Sequence, residues 1–295
     1  MSCGNTMDPD KELAQYKQCK TCIKPNLQQL PHDEVTRACF TATPGNLWLS
    51  ADYSALEARL GADIYQEHSM IEEFNHGGGD MHALCAKMVF HEELKDIEVK
   101  DVRDMRPDLR NKVKPIEFSQ QFGGTAFAVK NNMGCTQEEA EAFVQAYAKG
   151  FPGIAKFKAK SKKFFDEHGY IVCCPTTGCR MTWQDFNTYM FGDATSEMHK
   201  TIKKWRERIC LNGPTQHTGG VCIKTAITKI FNWIVDNGYF NKILMEAVVH
   251  DECNFEFPEE LKDVFPKVVT DLMKEAAALY CKSVEIPAEA SVGDH

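Results

Sequence analysis

The chain predicts an α+β fold, and three observations carry that expectation. A short apolar strand, Leu47 to Ala51, lies near the N-terminal side. Helical periodicity then dominates as far as Gly238. Finally "AVVHDECNFEF" (residues 247–257) reads as two strands broken at His250-Asp251-Glu252, with Phe255 and Phe257 alternating against Asn254 and Glu256. Strand, many helices, hairpin is the order of a helical block inserted into a small sheet.

Each element has its own signal. After Ala51 the chain turns into a helix from about Ser54, where Ser54 and Glu57 stand in the S-x-x-E spacing of a capping box. "RPDLRNKVKPIEFSQQFGGTAFAV" is helical up to Gly123-Gly124. In "TQEEAEAFVQAYAKGF", Thr136 caps a helix, acids fill its first turn and Gly150 follows it. "GIAKFKAKSKKFFDEHG" is a helix with a lysine-rich face, which reads as a solvated surface. "KTAITKIFNWIVDNG", 224–238, is amphipathic and ends at Gly238. A last helix, about 260–282, precedes "VEIPAEASVGDH". No internal repeat or low-complexity linker interrupts the order.

Composition sets bounds. With 295 residues and 43% hydrophobic content, the chain can bury one or two cores, and 26% charged residues is ordinary for a folded protein. The apolar runs fall short of a membrane span, and the N-terminus lacks the apolar core of a signal peptide. The expected setting is the cytoplasm, with no membrane partner. Thirteen cysteines fit a reducing compartment and free thiols. A net charge of −8 disfavours coating nucleic acid by bulk charge and leaves room for local basic grooves.

The chemistry begins with two aspartates. Asp52 ends the first strand and Asp251 sits at the hairpin tip. If the strands share a sheet, the two meet at its edge. Close carboxylates repel unless a cation lies between them. Hard oxygen pairs suit Mg²⁺, with substrate phosphates completing the shell. Taken singly, each aspartate reads equally as a turn or cap residue. Arg110, Lys114, Phe118 and Phe122 recur every four residues along one helix face. Two cations followed by two aromatics suit a ligand with a polyanionic end and a flat end. An amphipathic helix with solvated cations and core aromatics explains the same spacing.

These residues, taken in order, resemble the palm and fingers of a family A DNA polymerase, the bacterial DNA polymerase I and phage replicase family. "DYSALEARL" (52–60) is similar to motif A, "RNKVKPIEFSQQFGG" (110–124) to motif B, and "VVHDECNFEFPEE" (248–260) to motif C. Between and around them "KPNLQQLP", "GGDMH", "YAKGFPGIAKF", "RICLNGPTQ" and the closing "IPAEASVGDH" match weaker family signatures in the right order. The resemblance runs from about Pro25 to His295.

The resemblance implies roles. Asp52 and Asp251 would hold two Mg²⁺ ions, Glu252 would support them, and the Tyr53 carbonyl would neighbour a metal or phosphate. Glu57 would be the steric gate that excludes a ribose 2′-hydroxyl. Arg110 and Lys114 would take the triphosphate of a dNTP, with Lys114 counted among the catalytic groups. Phe118 would pack on the sugar and Phe122 near the templating base. Arg208, Gln216 and His250 would contact primer–template DNA, with Asn26, Gln28, Arg37 and Asn212 supporting the duplex. The implied division is an N-terminal segment at 1–24, palm at 25–56 and 214–295, and fingers at 57–213. The implied reaction is attack of a primer 3′-hydroxyl on the α-phosphate. A catalytically weak DNA- or dNTP-binding subunit is the alternative.

Several positions depart from the family pattern. Pro115 lies inside the motif B helix, where it is expected to remove a hydrogen bond and kink the turn, leaving the register between Lys114 and Phe118 open. Ser119 replaces a glycine, Phe122 a tyrosine, and His217-Thr218 a Gly-Ser pair. No stretch of the 295 residues matches the family's thumb or exonuclease, so the expectation is a second polypeptide supplying them, a split polymerase, with a fragment of a longer protein as the alternative. Cys19-x-x-Cys22 and the Cys173, Cys174, Cys179 cluster have partial zinc-site spacing. They read as free thiols, and a zinc-dependent DNA-binding module rests on them alone.

Overall fold

The structure is a computed structural model that describes residues 40–121, 124–182, 195 and 197–293, without the side chains of residues 118, 121, 198, 202 and 207. β1 (Asn46–Tyr53) leads into α1 (Leu56–Tyr65), α2 (His68–Glu72), α3 (Met81–Val89), α4 (His91–Leu94) and α5 (Val102–Met105). Longer helices follow: α6 (Pro107–Gln121), α7 (Ala126–Met133), α8 (Gln137–Gly150) and α9 (Pro152–His168). A hairpin of β2 (Tyr170–Cys174) and β3 (Cys179–Thr182) precedes α10 (Glu197–Asp236). The chain closes with β4 (Leu244–Val249), β5 (Glu252–Pro258), α11 (Phe265–Ala278) and β6 (Ala288–Gly293).

One antiparallel sheet has the order β4-β5-β1-β6, so the first strand lies between strands from the far end of the chain. Its two faces differ because side chains alternate along each strand. Leu47, Leu49, Ala51 and Tyr53 point to one face, with Cys253, Phe255 and Phe257 beside them. There Phe265 of α11 meets Phe255 and Phe257 edge-on or tilted, and Trp233 of α10 joins it. The other face carries Trp48, Ser50, Asp52, Glu252, Asn254 and Glu256. Asn254 and Glu256 are covered but satisfied: Trp48 Nε1 donates to Asn254, and Asn46 and Thr43 donate to Glu256. The α+β expectation therefore holds, and its first strand and closing hairpin do share a sheet. Among the described residues, no helix is long and apolar enough to cross a membrane.

Several expected elements differ. The helix expected at 224–238 is the last third of α10, which runs through Pro214 and through the expected boundary at 213–214. Proline removes the hydrogen bond to the Cys210 carbonyl, yet the next turn is stapled from outside. The Tyr65 hydroxyl of α1 lies 3.2 Å from the Leu211 carbonyl and 2.8 Å from Thr215 Oγ1. Gly213 lets the helix approach β2, since a Cβ there would stand 2.9 Å from Ile171 Cδ1. Pro115 likewise sits within a continuous α6. Val113 and Ile116, both fully buried, hold that helix down and offset a backbone cost of about 3 kcal/mol.

The final helix spans Phe265–Ala278 rather than 260–282. Pro266 is tolerated in a first turn and not in an interior, so it fixes the start. A 3₁₀ turn, Glu259–Leu261, fills the gap. Around Thr136 the cap forms as expected, as a full capping box with Glu139, and Gly150 is the last helical residue rather than the one after. The β2–β3 hairpin has no counterpart in the sequence reading.

Candidate active site

β1 delivers Asp52 to the open face of the sheet, one residue before Tyr53 turns into the core. Asp52 pairs in register with Glu252 of β5 and Glu289 of β6. The hairpin returns through His250 and Asp251, which sit between the paired residues Val249 and Glu252. His250 has a left-handed backbone (φ 57°), a conformation that non-glycine residues adopt at a cost of about 1 kcal/mol or more. Ala55 is left-handed as well, with φ 53°. The two strained residues flank the two aspartates, as expected where a tight turn must aim a side chain.

Ala55 also corrects the capping-box expectation. It takes the N-cap of α1, so Ser54 lies one residue too early and makes no side-chain cap. The Ser54 amide donates instead to Pro287 O, and Arg59 Nε donates to Ser54 O at 3.0 Å. Glu57 is left as a first-turn acid with no cap to make. Its carboxyl is raised by burial and then by Asp251, with His250 acting the other way. Glu57, His250 and Asp251 are therefore neighbours.

The carboxylates crowd one another. Asp52 lies on an open part of the surface, but partial loss of water around its carboxyl, then Asp251 and Glu252, push it up to about 6. Asp251 is raised by burial first, its own backbone amide and His250 pulling the other way. Glu252 accepts from Ser50 Oγ at 2.5 Å, which anchors it beside the pair. Tyr53 is buried with its hydroxyl donated to Met273 O at 2.7 Å, so its carbonyl is what it can offer the site.

Among the described residues no three His, Cys, Asp or Glu side chains converge into a ready metal cage. The donors present are two mutually repelling carboxylates near a backbone carbonyl. That set fits Mg²⁺, which binds through one or two carboxylates and keeps other positions for water and phosphate oxygens. Cys173 and Cys174 are buried free thiols of β2, and Cys179 faces Cys174 across the hairpin.

A second cluster lies where α3 packs on α6. Asp80 caps α3, accepting from the Ala83 amide at 3.1 Å, and takes Arg103 Nε at 3.0 Å. Arg110 Nε donates to both Asp80 oxygens, at 3.1 and 2.9 Å. This leaves the terminal guanidinium nitrogens of Arg110 for an anion. Burial works to raise the Asp80 carboxyl, but its bonds to Arg110, Ala83 and Arg103 hold it below the usual range. Lys114, one turn on, is exposed and has no ion-pair partner among the described residues. Phe118 has its backbone in α6. Its side chain lies outside the described part, as do Phe122, Asn26, Gln28, Arg37, Cys19 and Cys22.

On α10, Arg208, Asn212 and Gln216 form a stripe at four-residue spacing, with Arg208 and Gln216 exposed. His250 is exposed at the hairpin tip. The fold thus brings together Asp52, Asp251, Glu252, Glu57 and His250, and it sets Arg110 and Lys114 apart on α6. Glu289, Ser50, Asp80 and Glu117 had no place in the sequence reading of the site. Asp80, Glu117 and Glu289 fall inside the quoted stretches "GGDMH", "RNKVKPIEFSQQFGG" and "IPAEASVGDH", without a role assigned to any of them.

This is the architecture of a polymerase palm with a helical fingers insertion. The chain superposes on the POL domain of Pol1 from M. smegmatis, solved in complex with a DNA primer-template and dNTP. The TM-score is 0.76 and the identity 24%, covering 92% of this chain and 44% of that one. The chain belongs to DNA polymerase family A, whose family model matches residues 21–295. It is 26% identical to DNA polymerase I of Caldicellulosiruptor bescii over 259 residues, 86% of this chain and 28% of that one. It is 29% identical to DNA polymerase I of Borreliella burgdorferi over 263 residues, 88% and 26% of the two. The chain therefore spans about a quarter of the length of the curated relatives it matches.

Proposed function

We propose that this chain is the palm-and-fingers core of a template-directed DNA polymerase, which adds dNTPs to a primer 3′-end. The observation that carries the reading is the meeting of Asp52 and Asp251, 199 positions apart by their numbers, as unneutralised carboxylates at one sheet edge beside Glu57. In this reading the palm comprises 25–56 and 214–295 and the fingers 57–213. Asp52, Asp251 and the Tyr53 carbonyl would hold two Mg²⁺ ions, which when bound supply charge neutralisation for phosphoryl transfer. Glu252, tethered by Ser50, keeps the neighbouring carboxylates in place.

The remaining roles follow from position. Arg110, oriented by Asp80, and exposed Lys114 bind the triphosphate, and Lys114 lies close enough along the stripe to neutralise the leaving pyrophosphate. Phe118 and Phe122 pack on sugar and base. Glu57 fills the space a 2′-hydroxyl would need, so the site rejects ribonucleotides by clash or by an unpaired group. Arg208, Asn212, Gln216 and His250, with Asn26, Gln28 and Arg37, hold the duplex. The setting of the reaction would be the cytoplasm.

Duplex grip and proofreading would come from polypeptide outside these 295 residues, whether on a separate chain or on the same one. Exposed apolar side chains support a partner surface: Phe231 and Phe240 meet in a T-shaped contact with Val235 exposed nearby in sequence, and Leu244 and Val248 are exposed on the edge strand β4. Primer extension with Mg²⁺ and dNTPs tests the whole reading. Wild type should extend and Asp251→Ala should not; equal extension by the two would overturn it.

A further inference from the structure

Glu117 is out of character for a phosphate-binding face. It lies three residues past Lys114 and seven past Arg110, so it shares their stripe of α6. It is 8% exposed, and its side-chain partner is His82 of α3, whose Nδ1 stands 2.6 Å from Glu117 Oε2. Asp80 touches Arg110 and His82 touches Glu117, so the first turn of α3 lies along the stretch of α6 that contains Lys114. Behind Glu117 are the buried thiol of Cys85 and the buried phenol of Tyr147. Both are held neutral by burial first, with the Glu117 charge among the lesser causes. The charged groups beside His82 are Asp80, Arg103 and Arg110, already paired with one another.

We propose that Glu117 is a positioning residue for the nucleotide triphosphate and acts through His82. The inference rests on Arg110 and Lys114 being the phosphate ligands. With Nδ1 committed to a carboxylate, His82 has Nε2 left for a ligand, and its side chain is 39% exposed. A carboxylate on Nδ1 and a phosphate oxygen on Nε2 can both only accept, so the ring between them must carry hydrogens on both nitrogens. His82 is then an imidazolium in the nucleotide-bound state. It donates to the triphosphate and offsets the negative charge that Glu117 brings to the site. Nucleotide binding is coupled to the His82 proton, and Glu117 sets that coupling.

Nitrogen NMR of His82 in the wild-type chain, titrated with Mg²⁺ and dATP, reads the bound state directly. Both ring nitrogens should report protonation with nucleotide present, and Nδ1 should stay hydrogen-bonded throughout. In primer extension, Glu117→Gln keeps an acceptor for Nδ1 without the charge. It should raise the KM for dNTP about tenfold near pH 8, change kcat far less, and shift the pH profile of KM to lower pH. Glu117→Asp should restore part of the loss. Ring nitrogens indifferent to dATP, or a Glu117→Gln variant with the wild-type KM and pH profile, would overturn the inference. A His82 response in a wild-type chain that extends no primer would sustain it while sinking the polymerase reading. Extension with a silent His82 would sink this inference alone.

Discussion

The two charged clusters of this chain are built on opposite plans. At the sheet edge, burial first and then like charges raise Asp52, Asp251 and Glu57: Asp251 and Glu252 act on Asp52, Asp251 on Glu57 and Glu252 on Asp251, with His250 the basic group that opposes them at Glu57 and Asp251. Between α3 and α6 the described acids are paired: Asp80 with Arg103 and Arg110, Glu117 with His82, while Lys114 has no ion-pair partner among the described residues. One cluster is repulsive until a cation arrives. The other is neutralised and rigid beforehand, which spares its ligand the cost of ordering side chains. A site for a mobile metal tolerates strain in the empty protein, whereas a site that must aim a guanidinium invests in pairs.

The comparison is tested hardest by Asp52→Asn. On the proposed reading primer extension should fall by about three orders of magnitude, because Asp52 would be a main metal anchor. The metal-free protein should meanwhile melt at a higher temperature than wild type, since a repelling charge has been removed. A lower melting temperature would mean the carboxylates are not in conflict. Asp80→Ala should do the reverse to stability. It deletes the cap of α3, worth about 1 kcal/mol, and frees Arg103 and Arg110. The KM for dNTP should rise about tenfold as Arg110 loses its aim; an unchanged KM would show that Asp80 is a cap and nothing more.

Glu57→Ala sharpens the picture of the acidic edge. Incorporation of rNTP relative to dNTP should increase about tenfold in competition assays. A fixed ratio would place Glu57 in the electrostatics of the edge and not against the sugar. The smallest effect concerns pH. Asp52 is raised from the ordinary carboxylate value of about 4 to about 6, so the native state binds an extra proton between those values. Stability of the metal-free chain should fall as pH climbs through that window. Asp52→Asn should flatten the slope, and added Mg²⁺ should reduce it; identical pH curves for mutant and wild type would contradict the assignment.

Much of the fold was legible because its signals are local. β1, the closing hairpin, the capped helix at Thr136 and the lysine-faced α9 all follow from alternation, caps and glycine stops. The places where local reading failed share a cause. Ser54 and Glu57 satisfy the capping-box spacing, but the Ser54 amide is drawn to Pro287, far along the chain, and its carbonyl is taken by the Arg59 side chain. The helix expected at 224–238 starts far earlier, and α10 runs on through Gly213-Pro214 because Tyr65 and the close surface of β2 reward continuity. Pro115 reads as a kink that leaves the register open, and α6 continues through it with two fully buried neighbours, Val113 and Ile116.

By itself the sequence determined the order of elements, the motif residues and the chemistry available to them, since propensity and periodicity act over a few residues. What only the tertiary structure decided is who stands beside whom. Glu289 becomes a neighbour of Asp52 solely through the register of β6 on β1. Asp80 finds Arg110 across 30 positions, and His82 finds Glu117 across 35, because α3 packs on α6. Pairings of that kind carry no local signal. They are chosen by the burial of whole faces, Leu47, Leu49, Phe255 and Phe257 against α10 and α11 on one side of the sheet, and the polar side chains follow where the backbone is taken.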